Sequence, residues 1–242
     1  MKTIFKSPQP CYSAIGLRQW VLPIIFAISS QLLSAQEKKQ EPAPTCFIRI
    51  ANAVAPGTGN VNVSIDGEDV YPSGYKFGAV TGGIGLPPGS HVVTIRREGV
   101  KVGSTKVSLE KDQTVTLISF AERVPATDQE EAHFALRIMR LKQKEVQGGR
   151  SASFVSVSVQ PELLVELRAP SGSWAKVSVK RLTVNEMPIL YPEGYAPVRV
   201  NEQGMAPIPI GGDGNYVVVL YDTPEGKVES LYFRDFKFLS AD

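Results

Sequence analysis

The feature that most constrains this chain is a succession of short segments in which apolar and polar residues alternate, each closed by a Gly- or Pro-rich turn. Val61, Val63 and Ile65 alternate with Asn62 and Ser64, and Asp66-Gly67 follows. A period of two places one set of side chains on one face of a strand, and Asp-Gly is a tight-turn signal. Before residue 125 the segments Phe47 to Ile50, His91 to Arg96, Thr105 to Leu109 and Thr114 to Phe120 read as strands. Beyond residue 150 the same reading holds for Phe154 to Val159, Leu163 to Leu167, Ala175 to Val179, Arg199 to Val200, Tyr216 to Tyr221 and Glu229 to Phe233. Turns are read at Ala55 to Gly59, Leu86 to Ser90, Gly99 to Gly103 and Pro224 to Gly226. Short strands about 8–12 residues apart predict an all-β sandwich or barrel.

Residues Thr127 to Gln147 satisfy two patterns. Thr127-Asp128-Gln129-Glu130 fits a helix capping box, with Phe134, Ile138 and Leu141 on one helical face. Phe134, Leu136 and Ile138 also alternate as a strand would. A hairpin turning near Gly148 into the Phe154 strand accounts for both flanks, so a strand is preferred over a helix.

Parts of the chain repeat. Tyr71-Pro72-Ser73-Gly74-Tyr75 recurs as Tyr191-Pro192-Glu193-Gly194-Tyr195, Ile84 to Ile95 resembles Ile208 to Leu220, and the opening at Phe47 resembles that at Phe154. Three similarities in one order predict two tandem antiparallel β-sandwich modules, near 46–125 and 151–238, joined by a connector at 126–150.

The N-terminal 35 residues differ from the rest. Lys2, Lys6 and Arg18 are their only charges, an apolar run extends from Trp20 to Leu33, and Ser34-Ala35-Gln36 follows. This is the layout of a secretory signal peptide at 1–35, and Pro23 and the shortness of the run argue against a membrane span. Gln36 to Thr45, polar and Pro-containing, reads as a flexible leader at 36–45. Without the first 35 residues the chain carries 24 acidic side chains against 23 basic ones, a net charge of about −1. Near-neutrality without a Lys/Arg cluster speaks against a nucleic-acid partner. Cys46 is then the single cysteine, which rules out an intrachain disulfide; it reads as a small apolar residue opening the first strand.

Asn52-Ala53-Val54-Ala55-Pro56-Gly57, Val61 to Gly67, Phe77 to Thr81 and Leu86 to Val93 together resemble an exported bacterial β-sandwich family known only as a domain of unknown function, number four-three-nine-seven. Asn62 stands where members carry Asp, and the resemblance covers Phe47 to Phe120, with the C-terminal half similar only loosely. It implies an Ig-like or transthyretin-like sandwich outside the cytoplasm, and no catalytic residues.

Chemistry is sparse. His91 and His133 are the only histidines, and no nucleophile elbow, H-E-x-x-H or C-x-x-C occurs. Asp66, Glu68 and Asp69 form an acidic turn rather than a spaced calcium loop. Gly82 to Gly85 lacks a phosphate-loop lysine. The candidates left for binding are aromatic: Tyr71, Tyr75, Trp174, Tyr191 and Tyr195, whose flat rings with polar tips stack on sugars or anchor protein partners. The alternative for the tyrosines is that their hydroxyls cap the sandwich by bonding backbone. The expectation is therefore a non-enzymatic periplasmic or cell-surface module without cofactor or metal, binding an envelope protein or polysaccharide. The alternative is a self-associating structural subunit of a surface layer or matrix. A polysaccharide-active enzyme ranks last.

Overall fold

The computed structural model describes residues 45–238. The expected signal peptide (1–35) and the leader (36–45), save Thr45, lie outside them. Among the described residues there are eighteen strands and no α-helix. The first eight are β1 (Cys46–Ala53), β2 (Thr58–Ile65), β3 (Glu68–Asp69), β4 (Ile84–Leu86), β5 (Gly89–Glu98), β6 (Val100–Leu109), β7 (Thr114–Val124) and β8 (His133–Lys142). Then come β9 (Arg150–Ser156), β10 (Glu162–Arg168), β11 (Trp174–Lys180), β12 (Val184–Pro188), β13 (Gly194–Ala196), β14 (Val198–Val200), β15 (Gln203–Gly204), β16 (Ile208–Ile210), β17 (Gly214–Asp222) and β18 (Val228–Arg234).

The all-β class is as expected. The antiparallel part of the expectation is corrected, because β1 runs parallel to β7 and β9 runs parallel to β17. These central strands are buried on both faces. Thr114 to Phe120 of β7 and Asn215 to Tyr221 of β17 are buried at every position. Double-sided burial is what a near-continuous apolar run such as Val217-Val218-Val219-Leu220 encodes, in contrast with the strict alternation of β2.

Three apolar clusters explain the double burial. The first gathers Ile48, Val63, Ile95, Leu117 and Leu136 between the wings β3-β2-β5-β6 and β8-β7-β1-β4 of one eight-stranded sheet. The second gathers Phe154, Leu163, Val198, Ile208 and Leu220 between sheets β12-β9-β17-β18 and β11-β10-β14-β15, with the β13–β16 pair alongside. The third, with Ala51, Ile118, Val155, Val217 and Leu231, lies between the outward faces of β1-β7 and β9-β17-β18. An ion pair also joins the two sides: Glu122 of β7 accepts from Arg181 Nη2 at 2.9 Å, while its other oxygen accepts from Arg137 Nε of neighbouring β8 at 3.0 Å.

The same strand arrangement recurs on both sides. The order β4-β1-β7-β8 matches β12-β9-β17-β18, and β3-β2-β5-β6 matches β11-β10-β14-β15, with the parallel pair at corresponding places. The residue correspondence differs from the string similarity. β5, which contains His91 to Ile95, pairs with β2, whereas β17 takes beside β9 the place that β7 takes beside β1. Nor do the two Tyr-Pro-x-Gly-Tyr stretches correspond: one lies between β3 and β4, the other between β12 and β14. Strand neighbours fix which segments correspond; turn-rich β strings resemble one another regardless.

Residues 133–142 form a strand, as preferred, and Thr127 to Glu130 form a turn rather than a helix cap. The expected hairpin near Gly148 is corrected: β8 pairs along its whole length with β7, and β9 pairs instead with β12 and β17. The turn at Gly99 is tighter than read, since β6 begins at Val100 and runs through Gly103.

Candidate functional site

Five separate segments meet in a cleft of about 310 Å³ that straddles the third apolar cluster. Its lining includes Pro56 after β1, Phe120 of β7, Phe134 of β8, Val157 and Val159 after β9, and Pro224 between β17 and β18. Local chemistry holds each wall. The Asp222 carboxylate accepts from Ser158 Oγ and from the Val159 amide, both at 2.7 Å, and this fixes the chain where it leaves β9. The Thr223 amide donates to the Lys227 carbonyl at 2.7 Å, closing the β17–β18 turn, with Gly226 at φ 78°. On the opposite wall the Arg97 guanidinium donates to the Val54 carbonyl and, at 3.4 Å, to that of Gly57. Gly57 has φ 91°, and a side chain there would run into the Glu98 carbonyl oxygen, so the loop carrying Pro56 requires glycine. Val159 is 69% and Phe134 39% exposed. A concave, apolar, pre-formed surface with its polar groups already paired suits an apolar group.

The five aromatic candidates are only partly brought together. Tyr71 and Tyr75 meet with ring centroids 5.4 Å apart, and Tyr75 also packs on the first core. Burial and the neighbouring Tyr71 push the Tyr75 hydroxyl above its usual pKa. Tyr191 packs against the second core, and its carbonyl accepts from Arg150 at 3.2 Å. Tyr195 stands exposed on β13, opposite Pro209. Trp174 is not a free ring: the Arg199 guanidinium carbon sits 4.1 Å from its centroid and that of Arg168 5.9 Å. The hydroxyl that bonds backbone belongs to another tyrosine, Tyr216, which accepts from the Gly211 amide at 3.1 Å and donates to the Gly212 carbonyl at 2.7 Å.

His91 is buried, with Nδ1 2.7 Å from Asp66 Oδ2 and Nε2 2.8 Å from the Pro87 carbonyl oxygen. The hydrogen bond it donates to Asp66, then the one to the Pro87 carbonyl, raise its pKa. The Val92 amide, then His91, lower that of Asp66. Cys46 is buried and donates to the Leu86 and Pro87 carbonyls at 3.1 and 3.2 Å, and burial pushes its thiol upward. Asp69 pairs with Arg96 at 2.7 Å, and His133 Nδ1 lies 3.0 Å from the Glu131 carbonyl oxygen. Among the described residues no group of three or more His, Cys, Asp or Glu stands where it could hold a metal ion.

The cleft residues are those that sequence reasoning missed. Phe134 and Val159 carry no local signal, because the other walls come from segments far away in sequence. In comparisons with known proteins, no family model matches the chain, and none of the curated proteins matches it.

Proposed function

We propose that the chain is an exported, non-enzymatic binding module that seats an apolar side chain of an envelope protein in the cleft between Phe134 and Val159. The signal-like N-terminus supports export, and the resemblance over Phe47 to Phe120 supports a place outside the cytoplasm. The observation that carries the binding reading is the open apolar lining at Phe134, Val159 and Pro224, over the buried Val157. Exposed apolar surface of this kind costs solubility unless something covers it. A protein partner fits it better than a sugar, since the polar groups bordering it, Asp222 and the Val159 amide, already satisfy one another.

The test is retention of envelope proteins on the immobilised chain, compared with a Val159→Asp variant of unchanged melting temperature. Specific retention lost in the variant supports the reading. Equal retention by both places the binding elsewhere. Self-association of the wild type that the variant abolishes would instead favour a structural subunit whose cleft is covered by a second copy.

A further inference from the structure

We infer that Arg168, Arg199 and Trp174 form a second, separate binding site, on the outer face of sheet β11-β10-β14-β15, for the carboxylates of an acidic polysaccharide. The register builds it. Arg168 of β10 faces Trp174 of β11, and Arg199 of β14 faces Glu166 of β10. Yet Glu166 pairs with Lys176 Nζ at 2.8 Å, while the Arg199 guanidinium lies over the indole of Trp174, one strand further on. Two guanidinium groups thus stand within 6 Å of one ring centroid, and among the described residues neither is paired with a carboxylate.

Three physical points make this a site rather than a decorated surface. Like charges gathered on one ring repel, and an anion placed against both relieves that repulsion. Each guanidinium offers a planar fork of N–H donors that matches a carboxylate bidentately. Stacking on the indole removes rotamer freedom that a free surface arginine would lose on binding. Both arginines extend from strands with neighbours on either side, β10 and β14, whose backbone is already paired. Recognition there falls to side chains, not to strand addition, and that favours a chain of charged sugars over an extended acidic peptide. The site needs nothing from the cleft.

Oligogalacturonate is the probe, titrated into the full chain at low and moderate salt. The expected result is saturable binding that weakens at least ten-fold in Arg199→Gln and in Arg168→Gln, and less in Arg199→Lys, which keeps the charge but loses the fork. The Arg199→Lys variant also stands in if the glutamine variant fails to fold. Val159→Asp, which tests the cleft, should leave this binding unchanged. Absence of binding, equal binding by all the arginine variants, or neutral dextran binding as tightly would overturn the proposal. So would tighter binding of poly-glutamate, which would make the ligand a peptide.

Discussion

His91 Nδ1 and Asp66 Oδ2 meet at 2.7 Å between the start of β5 and the turn after β2, while the opposite ring nitrogen faces the Pro87 carbonyl at 2.8 Å. Both ring nitrogens therefore face acceptors. A neutral imidazole carries one N–H and satisfies one of them; the imidazolium satisfies both.

The consequence is a pH-dependent stability. The His91 pKa is raised in the folded protein, so its contribution is fully present below the ordinary histidine value of about 6.5 and lost as pH rises through the raised value. The Asp66 pKa is lowered, so its contribution is present above the ordinary carboxylate value of about 3.9 and lost as pH falls through the lowered one. Calorimetry from pH 5 to 9 should show Tm falling by on the order of a few degrees on the alkaline side. His91→Asn should abolish that slope while lowering Tm at pH 5. A wild-type slope that His91→Asn leaves intact would assign it to other groups.

Arg49 and Asp235 form a buried pair at 3.2 Å that ties β1 to the segment after β18, with both side chains 2% exposed. The Arg49 guanidinium carbon also lies 4.6, 5.4 and 4.8 Å from the ring centroids of Phe233, Phe236 and Phe238. Removing one member strands a buried charge, so Asp235→Ala should cost about 3–5 kcal/mol. Arg49→Met combined with Asp235→Ala should be less damaging than Asp235→Ala alone. Urea denaturation of both single variants and the double variant measures the coupling, and additive losses would show the pair to be independent.

Gly103 lies where β6 meets β8. A Cβ there would sit 2.8 Å from Leu136 Cβ and 2.9 Å from the Leu136 carbonyl oxygen. The obstacle includes backbone, so Gly103→Ala should destabilise by about 1–3 kcal/mol. A melting temperature equal to wild type would mean that the two strands can separate without cost.

The cleft residues should behave in the opposite way. Val159 is largely exposed, so Val159→Asp should change unfolding free energy by no more than about 0.5 kcal/mol while removing partner retention. A large loss of stability would mark Val159 as a packing residue rather than a contact for a partner.

The long strands were legible in the sequence, those buried on both faces included, whereas the short β3, β4, β12, β13, β15 and β16 were not. Val61-Asn62-Val63-Ser64-Ile65 announces itself by alternation, and Asp66-Gly67 by its turn, in which both residues have positive φ (52° and 91°). The parallel pairing of β1 with β7 was not legible. It depends on packing a second sheet against the outward face that carries Ala51 and Ile118, and no local period records that. The same reason hides the candidate sites. Trp174 reads as an open ring until Arg199, on a strand two places away in the sheet, is placed over it. Phe134 reads as a core position on either a helix or a strand, yet it lies at the rim of a cleft whose far wall begins after β9.

The most direct test of the binding reading is site-specific photocrosslinking in the cell that makes the protein, with the photoreactive residue at Phe134 and, as control, at the exposed Val102 of β6. The expected result is one discrete adduct with another envelope protein from position 134 and none from 102. No adduct from 134, or one whose mass is only that of a second copy of this chain, would contradict it.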